Sequence, residues 1–260
     1  MAVIVDIDHD DGTLNEYTST ATDSGDLSVE VGAALAGTTE GLQCVIDDTN
    51  AIQGTITFSA PASGIIRGRF YVDPNSITAN TYDALSICFI HSNMSPWEIG
   101  EVRFAKTAVG IDLILRGYDD DSSVIQITKL TIADAEQCVE FEITQAATDI
   151  SADGTMELWV DEVSQGSETE IDNYDLFEAI DDVRFGASSV IGAWDGTFYC
   201  DELVINDDGS EIGPVAPSTL SVSKADGLTV GDSPTTQGTL GGENIASDNA
   251  AYQGTGVRVR

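Results

Sequence analysis

Glu140-Phe-Glu142 places two carboxylates two residues apart, which on a strand puts them on one face about 7 Å from each other. That spacing suits the acid and base of glycoside cleavage. Phe141 and Ile143 alternate with the acids, however, so the run also reads as a half-buried strand with an acidic pair turned to solvent, and this is the preferred reading. A second constellation is Asp6-Ile-Asp-His-Asp-Asp-Gly12, where Asp6, Asp8 and Asp10 alternate ahead of a glycine like the start of a calcium loop. The glycine comes one place late, and Tyr17 stands where such a loop needs its closing Glu. Calcium is the cation these aspartates would take, and no other cofactor is expected. Asp47-Asp48 and Asp119-Asp-Asp121 read as acidic turns. Of the histidines, His9 lies in an acidic stretch and His91 lacks a nucleophile-elbow setting, so both are expected in loops or at the surface. There is no glycine-rich phosphate loop. Trp97, Tyr118 and Trp194 each fall near an expected strand end and are the candidate sugar platforms, while Trp159 alternates with Leu158 and Val160 as a core residue would.

The elements that must carry these residues are strands. Alternating apolar residues mark about a dozen, at 27–31, 41–47, 54–59, 65–72, 85–91, 97–106, 110–118, 124–131, 138–144, 155–163, 181–187 and 196–206. Only Asn173 to Ile180 suggests a brief turn of helix. So many short strands with so little helix predict an all-β fold, a two-sheet antiparallel sandwich of the jelly-roll kind. Cys44, Cys88, Cys138 and Cys200 sit in apolar strand-like runs without metal spacing and are expected as buried free thiols.

The formal charge of −35, from 45 acidic and 10 basic residues, argues against nucleic-acid binding. No apolar run of about 18 residues exists, so no membrane insertion is expected. The opening residues do not read as a secretory signal. The acidity ends abruptly: residues 1–213 hold 41 acidic and 7 basic side chains, whereas 214–260 are near neutral and rich in Gly, Ser and Thr. The expected organisation is therefore a body over 1–213 and an extended C-terminal arm over 214–260. Too poor in apolar bulk to fold alone, the arm is expected to dock on a neighbouring subunit through Pro214, Leu220, Val222, Leu228, Val230, Tyr252, Val257 and Arg260.

Residues 32–43, Ile65-Ile-Arg-Gly-Arg-Phe-Tyr-Val-Asp-Pro-Asn-Ser-Ile77, Val139-Glu-Phe-Glu-Ile143, Met156-Glu-Leu-Trp-Val-Asp-Glu-Val163, Val183-Arg-Phe-Gly-Ala187 and Thr197-Phe-Tyr-Cys-Asp-Glu-Leu203 together resemble the concanavalin A-like lectin and glucanase jelly roll, in its laminin-G-like branch. The resemblance spans about Asp8 to Gly213 and has no counterpart for the arm. Glucanases of that superfamily carry three acids on one strand, and Thr144 stands where the third would be. The expectation is accordingly a non-enzymatic structural protein on a virion surface, of the bacteriophage capsid-decoration or head-fibre type, in a homo-oligomer or capsid lattice. The second expectation is a module that binds surface glycans on a virus, outside the cell or on a bacterial cell surface. A polysaccharide-degrading hydrolase is the third.

Overall fold

A computed structural model describes residues 2–94, 97–129 and 131–215 of the chain. Fifteen strands follow in order: β1 Val3–Ile7, β2 Ser19–Ala21, β3 Leu27–Glu30, β4 Gly41–Ile46, β5 Ile52–Thr57, β6 Ile65–Asp73, β7 Ala84–Ser92 and β8 Glu98–Lys106. After these come β9 Ile111–Tyr118, β10 Val124–Lys129, β11 Gln137–Thr144, β12 Gly154–Val160, β13 Val163–Ile171, a short helix α1 Tyr174–Glu178, β14 Ile180–Ile191 and β15 Gly196–Asn206. Among the described residues no helix is long and apolar enough to cross a membrane.

The strands form two antiparallel sheets. One is eight-stranded, in the order β13-β12-β11-β6-β15-β4-β3 with β1 added against β15; the other is seven-stranded, in the order β10-β9-β8-β7-β14-β5-β2. Alternation explains the sandwich, because one face of each strand carries the apolar set and the two sets can be buried only against each other. Phe70 of the first sheet meets Phe185 of the second edge-on at 5.4 Å, and Phe198 meets Phe104 at 5.9 Å in the same way. All four cysteines are buried and free.

The compact unit runs to Val215. Its last residues turn back over the outer face of the eight-stranded sheet. There Ile212 and Gly213 donate their N–H groups to the two oxygens of Glu140, at 3.0 and 3.1 Å, and Val215 N–H reaches Tyr71 Oη at 2.7 Å. Of the residues expected in the docking arm, Leu220, Val222, Leu228, Val230, Tyr252, Val257 and Arg260 lie outside the described residues.

Candidate functional site

The two outer faces of the sandwich differ in what they leave free. On the eight-stranded sheet Arg67 stacks over Trp159 at 4.4 Å, donates to Glu140 at 2.5 Å and Glu142 at 3.2 Å, and reaches Gly209 O at 3.3 Å. The acidic pair that carried the right spacing for glycoside cleavage is therefore consumed. Glu140, 7% exposed, accepts from one guanidinium and two backbone N–H groups, an arrangement that occupies both carboxylate oxygens and keeps them out of reach of a substrate.

On the seven-stranded sheet the outer face presents a different set. Register places Gln126, Arg116, Glu101, Phe89, Arg184 and Thr55 in one row across β10, β9, β8, β7, β14 and β5. The next row toward the rim holds Glu98, His91, Asp182 and Thr57, and the row on the other side holds Thr128, Ile114, Arg103, Ser86 and Ser189. Each residue faces outward because its strand neighbours, such as Val102 and Phe104 beside Arg103 or Leu113 and Leu115 beside Ile114, fill the core. Three arginines thus converge on one face of a chain that has only 10 basic residues in all.

Glu101 is the hub. Only 3% exposed, it accepts from Ser86 Oγ, from Arg116 at 2.9 Å and from Arg103 at 3.3 Å. Two guanidinium groups and a hydroxyl replace the water that Glu101 lost on burial. For Glu98 beside it, burial, and secondarily the nearby charge of Glu101, raises the carboxyl from the ordinary 4.5 to about 7, while Arg116 at 3.3 Å and Arg103 pull the other way without prevailing. A carboxyl raised in this way is suited to act as a general acid near neutral pH. The same Arg116 offers its second terminal nitrogen to the hydroxyl of Tyr118, whose ring lies under its guanidinium at 4.6 Å.

Arg103 makes a single hydrogen bond among the described residues, the 3.3 Å one to Glu101, and its Nε is buried with no partner. Leaving a buried donor unfilled costs roughly 1–3 kcal/mol. Its remaining N–H groups are thus available to an incoming acceptor on this face. A carboxylate matches a guanidinium fork best.

The expected aromatic platforms separate here. Tyr118 joins the Arg116 cluster. Trp97, 55% exposed, stacks nearly parallel on His91, with rings 9° apart in plane and 6.3 Å between centroids. Its backbone sits at φ +82°, a region that disfavours a bulky residue, so local strain accompanies the presentation of the ring. Trp194 does not share the role: only 3% exposed, it packs against Phe104 in the core. If a sugar ring stacks on it, Trp97→Gly should therefore weaken binding by about fivefold, since stacking contributes about 1 kcal/mol, while leaving the melting temperature unchanged or raised because glycine accepts that φ. Titration of binding alongside a thermal melt checks this; unchanged affinity would remove Trp97 from the site.

The remaining expectations are corrected by position. Neither histidine is a free loop residue. His9 is fully buried, with Nδ1 2.9 Å from Asp201 and Nε2 2.9 Å from Tyr17 Oη, and His91 lies on β7 with Nδ1 2.7 Å from Asp181. Asp6, Asp8 and Asp10 do not converge on an ion. Asp6 lies exposed on β1, Asp8 accepts from Asp10 N–H at 2.9 Å, and Asp10 accepts from Thr39 N–H at 3.1 Å. The alternation that looks like a calcium loop instead closes turns and joins loops.

No protein-family model matches the chain, and no curated protein matches it. Solved structures do share its fold. An endo-β-1,4-glucuronan lyase from the fungus Trichoderma reesei superposes with a TM-score of 0.58 at 12% identity, over 79% of this chain and 95% of that one. The globular domain of T. cruzi calreticulin gives 0.56 at 12%, over 80% and 88%, and alginate lyase Aly36B, crystallised with an alginate tetrasaccharide, gives 0.50 at 11%, over 78% and 96%. This likeness shows the fold alone: a two-sheet β-sandwich of the jelly-roll kind, like that of these structures. The expectation of a non-enzymatic virion component is corrected, because the structures that share this fold include polysaccharide lyases.

Proposed function

We propose that this chain cleaves an acidic polysaccharide on the outer face of its seven-stranded sheet, by β-elimination at a uronate. The observation that carries the reading is Arg103, whose unfilled N–H groups lie on the face where Glu98, Tyr118 and Trp97 also stand. A carboxylate bound by Arg103 loses much of its negative charge, which acidifies the ring C–H beside it. Elimination then needs one group to take that proton and another to give a proton to the departing glycosidic oxygen. Glu98, held at about 7, still carries its proton near neutrality and gives it. Tyr118, in the fork of Arg116, takes the ring proton as a phenolate once its own proton has passed to solvent, and ends the step as the neutral phenol. The C–O bond breaks as the C=C bond forms, so the product carries an unsaturated end conjugated to its carboxylate. Likeness of fold to glucuronan and alginate lyases supports the same substrate class.

The test is to incubate the full chain with a panel of polyuronates, reading near-ultraviolet absorbance for the conjugated double bond and chain length by size exclusion. New unsaturated ends in the wild type, lost in Arg103→Ala, are the expected result. Polyuronates left at full length would sink the proposal, and shortened chains without unsaturation would replace elimination with hydrolysis.

A further inference from the structure

Beside the proton-transfer groups, one cluster on the same face has no part in the elimination. β14 bulges where it pairs with β7: Ile180 opposes Ser92 and Asp182 opposes His91, so Asp181 is the extra residue. Consecutive strand residues ordinarily point to opposite faces, and a bulge is the device that re-aims one of them. Both carboxylates consequently meet a single imidazole nitrogen. Asp181 Oδ1 lies 2.7 Å and Asp182 Oδ2 3.3 Å from His91 Nδ1, and one donor atom from each residue falls within 4.8 Å of the others.

We infer that His91, Asp181 and Asp182 form a binding site for a zinc-class divalent cation on the outer face of the seven-stranded sheet. Zinc holds nitrogen and oxygen donors at about 2.0–2.1 Å, so neighbouring corners of its tetrahedron stand roughly 3.3 Å apart. The two spacings to Nδ1, 2.7 and 3.3 Å, bracket that edge from below, and the two carboxylates, within 4.8 Å of each other, would draw together onto the ion. Imidazole with two carboxylates is a borderline donor set that favours zinc, cobalt or manganese over calcium, which takes six to eight oxygens.

The donors are held by neighbours, as metal ligands usually are. Arg184 forks onto Asp182, Nε donating to Oδ1 at 2.9 Å and Nη2 to Oδ2 at 3.3 Å, which fixes the carboxylate and leaves the ion a second lone pair on Oδ2; its guanidinium rests over Phe89 at 5.7 Å. Trp97 lies flat on the imidazole and fixes its plane. The aspartate cluster at Asp23, Asp26 and Asp47 offers no such orientation and no imidazole. Three protein donors leave the fourth corner to an oxygen of water.

Zinc is titrated by calorimetry into chelator-treated full chain in the absence of any sugar, so the result stands apart from the cleavage reading. One equivalent at neutral pH, weakened about 10–100-fold or more in Asp181→Asn and in His91→Ala, is expected. Cobalt supplies a readout independent of variant folding, since visible d–d bands of tetrahedral strength should appear in the wild type. Absence of a one-equivalent zinc isotherm, cobalt bands of weak octahedral type, or variants that bind as the wild type does would each overturn the site.

Discussion

Glu98→Gln is expected to lower the rate of polyuronate cleavage by about 10²–10⁴-fold, the usual contribution of a general acid, while making the folded protein more stable at alkaline pH. The two effects share a cause. Burial raises the Glu98 carboxyl from 4.5 to about 7, so the folded state holds this proton more tightly than the unfolded chain does. Below pH 4.5 both states are protonated and no cost arises. As pH rises from 4.5 to about 7, the unfolded chain releases its proton freely and the folded protein loses stability, reaching the full penalty above 7. Glutamine carries no charge to bury. At pH 8 the variant should gain roughly 1–2 kcal/mol once solvent screening at this half-buried site is discounted, and at pH 4 it should match the wild type. Wild-type cleavage should also fall as pH rises above about 7, with the acid lost. A variant that cleaves at wild-type rate, or that gains no stability at pH 8, would remove Glu98 from the acid's place.

The fold was legible because it depends on local alternation, and the elements that escaped alternation were missed. Twelve strands carry an apolar face that the sequence shows directly. β2, Ser19–Ala21, is three exposed residues with nothing to alternate, and β13 shows only exposed or half-buried residues until Ile171. The hairpin joining β12 and β13 is hidden by its turn. Asp161 and Glu162 both take positive φ, at 50° and 64°, where Asn-Gly would ordinarily announce such a turn, so the alternation seems to run on through Val163. The site was less legible for a different reason. Arg116, Glu101, Phe89 and Arg184 stand in one row only because four strands pair in a particular register, which spacing along the chain does not reveal. Glu140 and Glu142 had the better local pattern but met an arginine, and Glu140 the returning segment at Ile212 and Gly213. One signal was present: cations are scarce here, yet Arg103, Arg116 and Arg184 stand in the middle of strands rather than in loops.

Asp201→Ala is expected to be the most damaging single substitution outside the apolar core. Alternation along β15 suggests an acid turned to solvent, yet Asp201 is fully buried. Its Oδ1 accepts from Glu202 N–H and meets His9 Nδ1, both at 2.9 Å; Oδ2 accepts from Leu35 N–H at 3.1 Å and Thr38 Oγ1 at 2.6 Å. His9 in turn meets Tyr17, whose ring lies where a Cβ at residue 54 would stand, so Gly54 is what lets the cluster close. One carboxylate therefore ties the N-terminal loop, the connection before β4, and β15 together. Truncating it strands an imidazole nitrogen and two backbone N–H groups at once. Each buried polar group left unpaired costs about 1–3 kcal/mol, so the loss should reach roughly 3–5 kcal/mol, which for a domain of this size is a fall of roughly 10 °C in melting temperature. His9→Ala should cost less, because Asp201 keeps three donors. The double variant should fall short of the sum of the two by roughly 0.5–3 kcal/mol, since the second truncation removes a group the first had already orphaned. Chemical denaturation of the four proteins in this cycle measures all three quantities. Additive losses, or an Asp201→Ala variant within about 1 kcal/mol of wild type, would mean that packing of the loops, and not this carboxylate, holds the terminus to the sandwich.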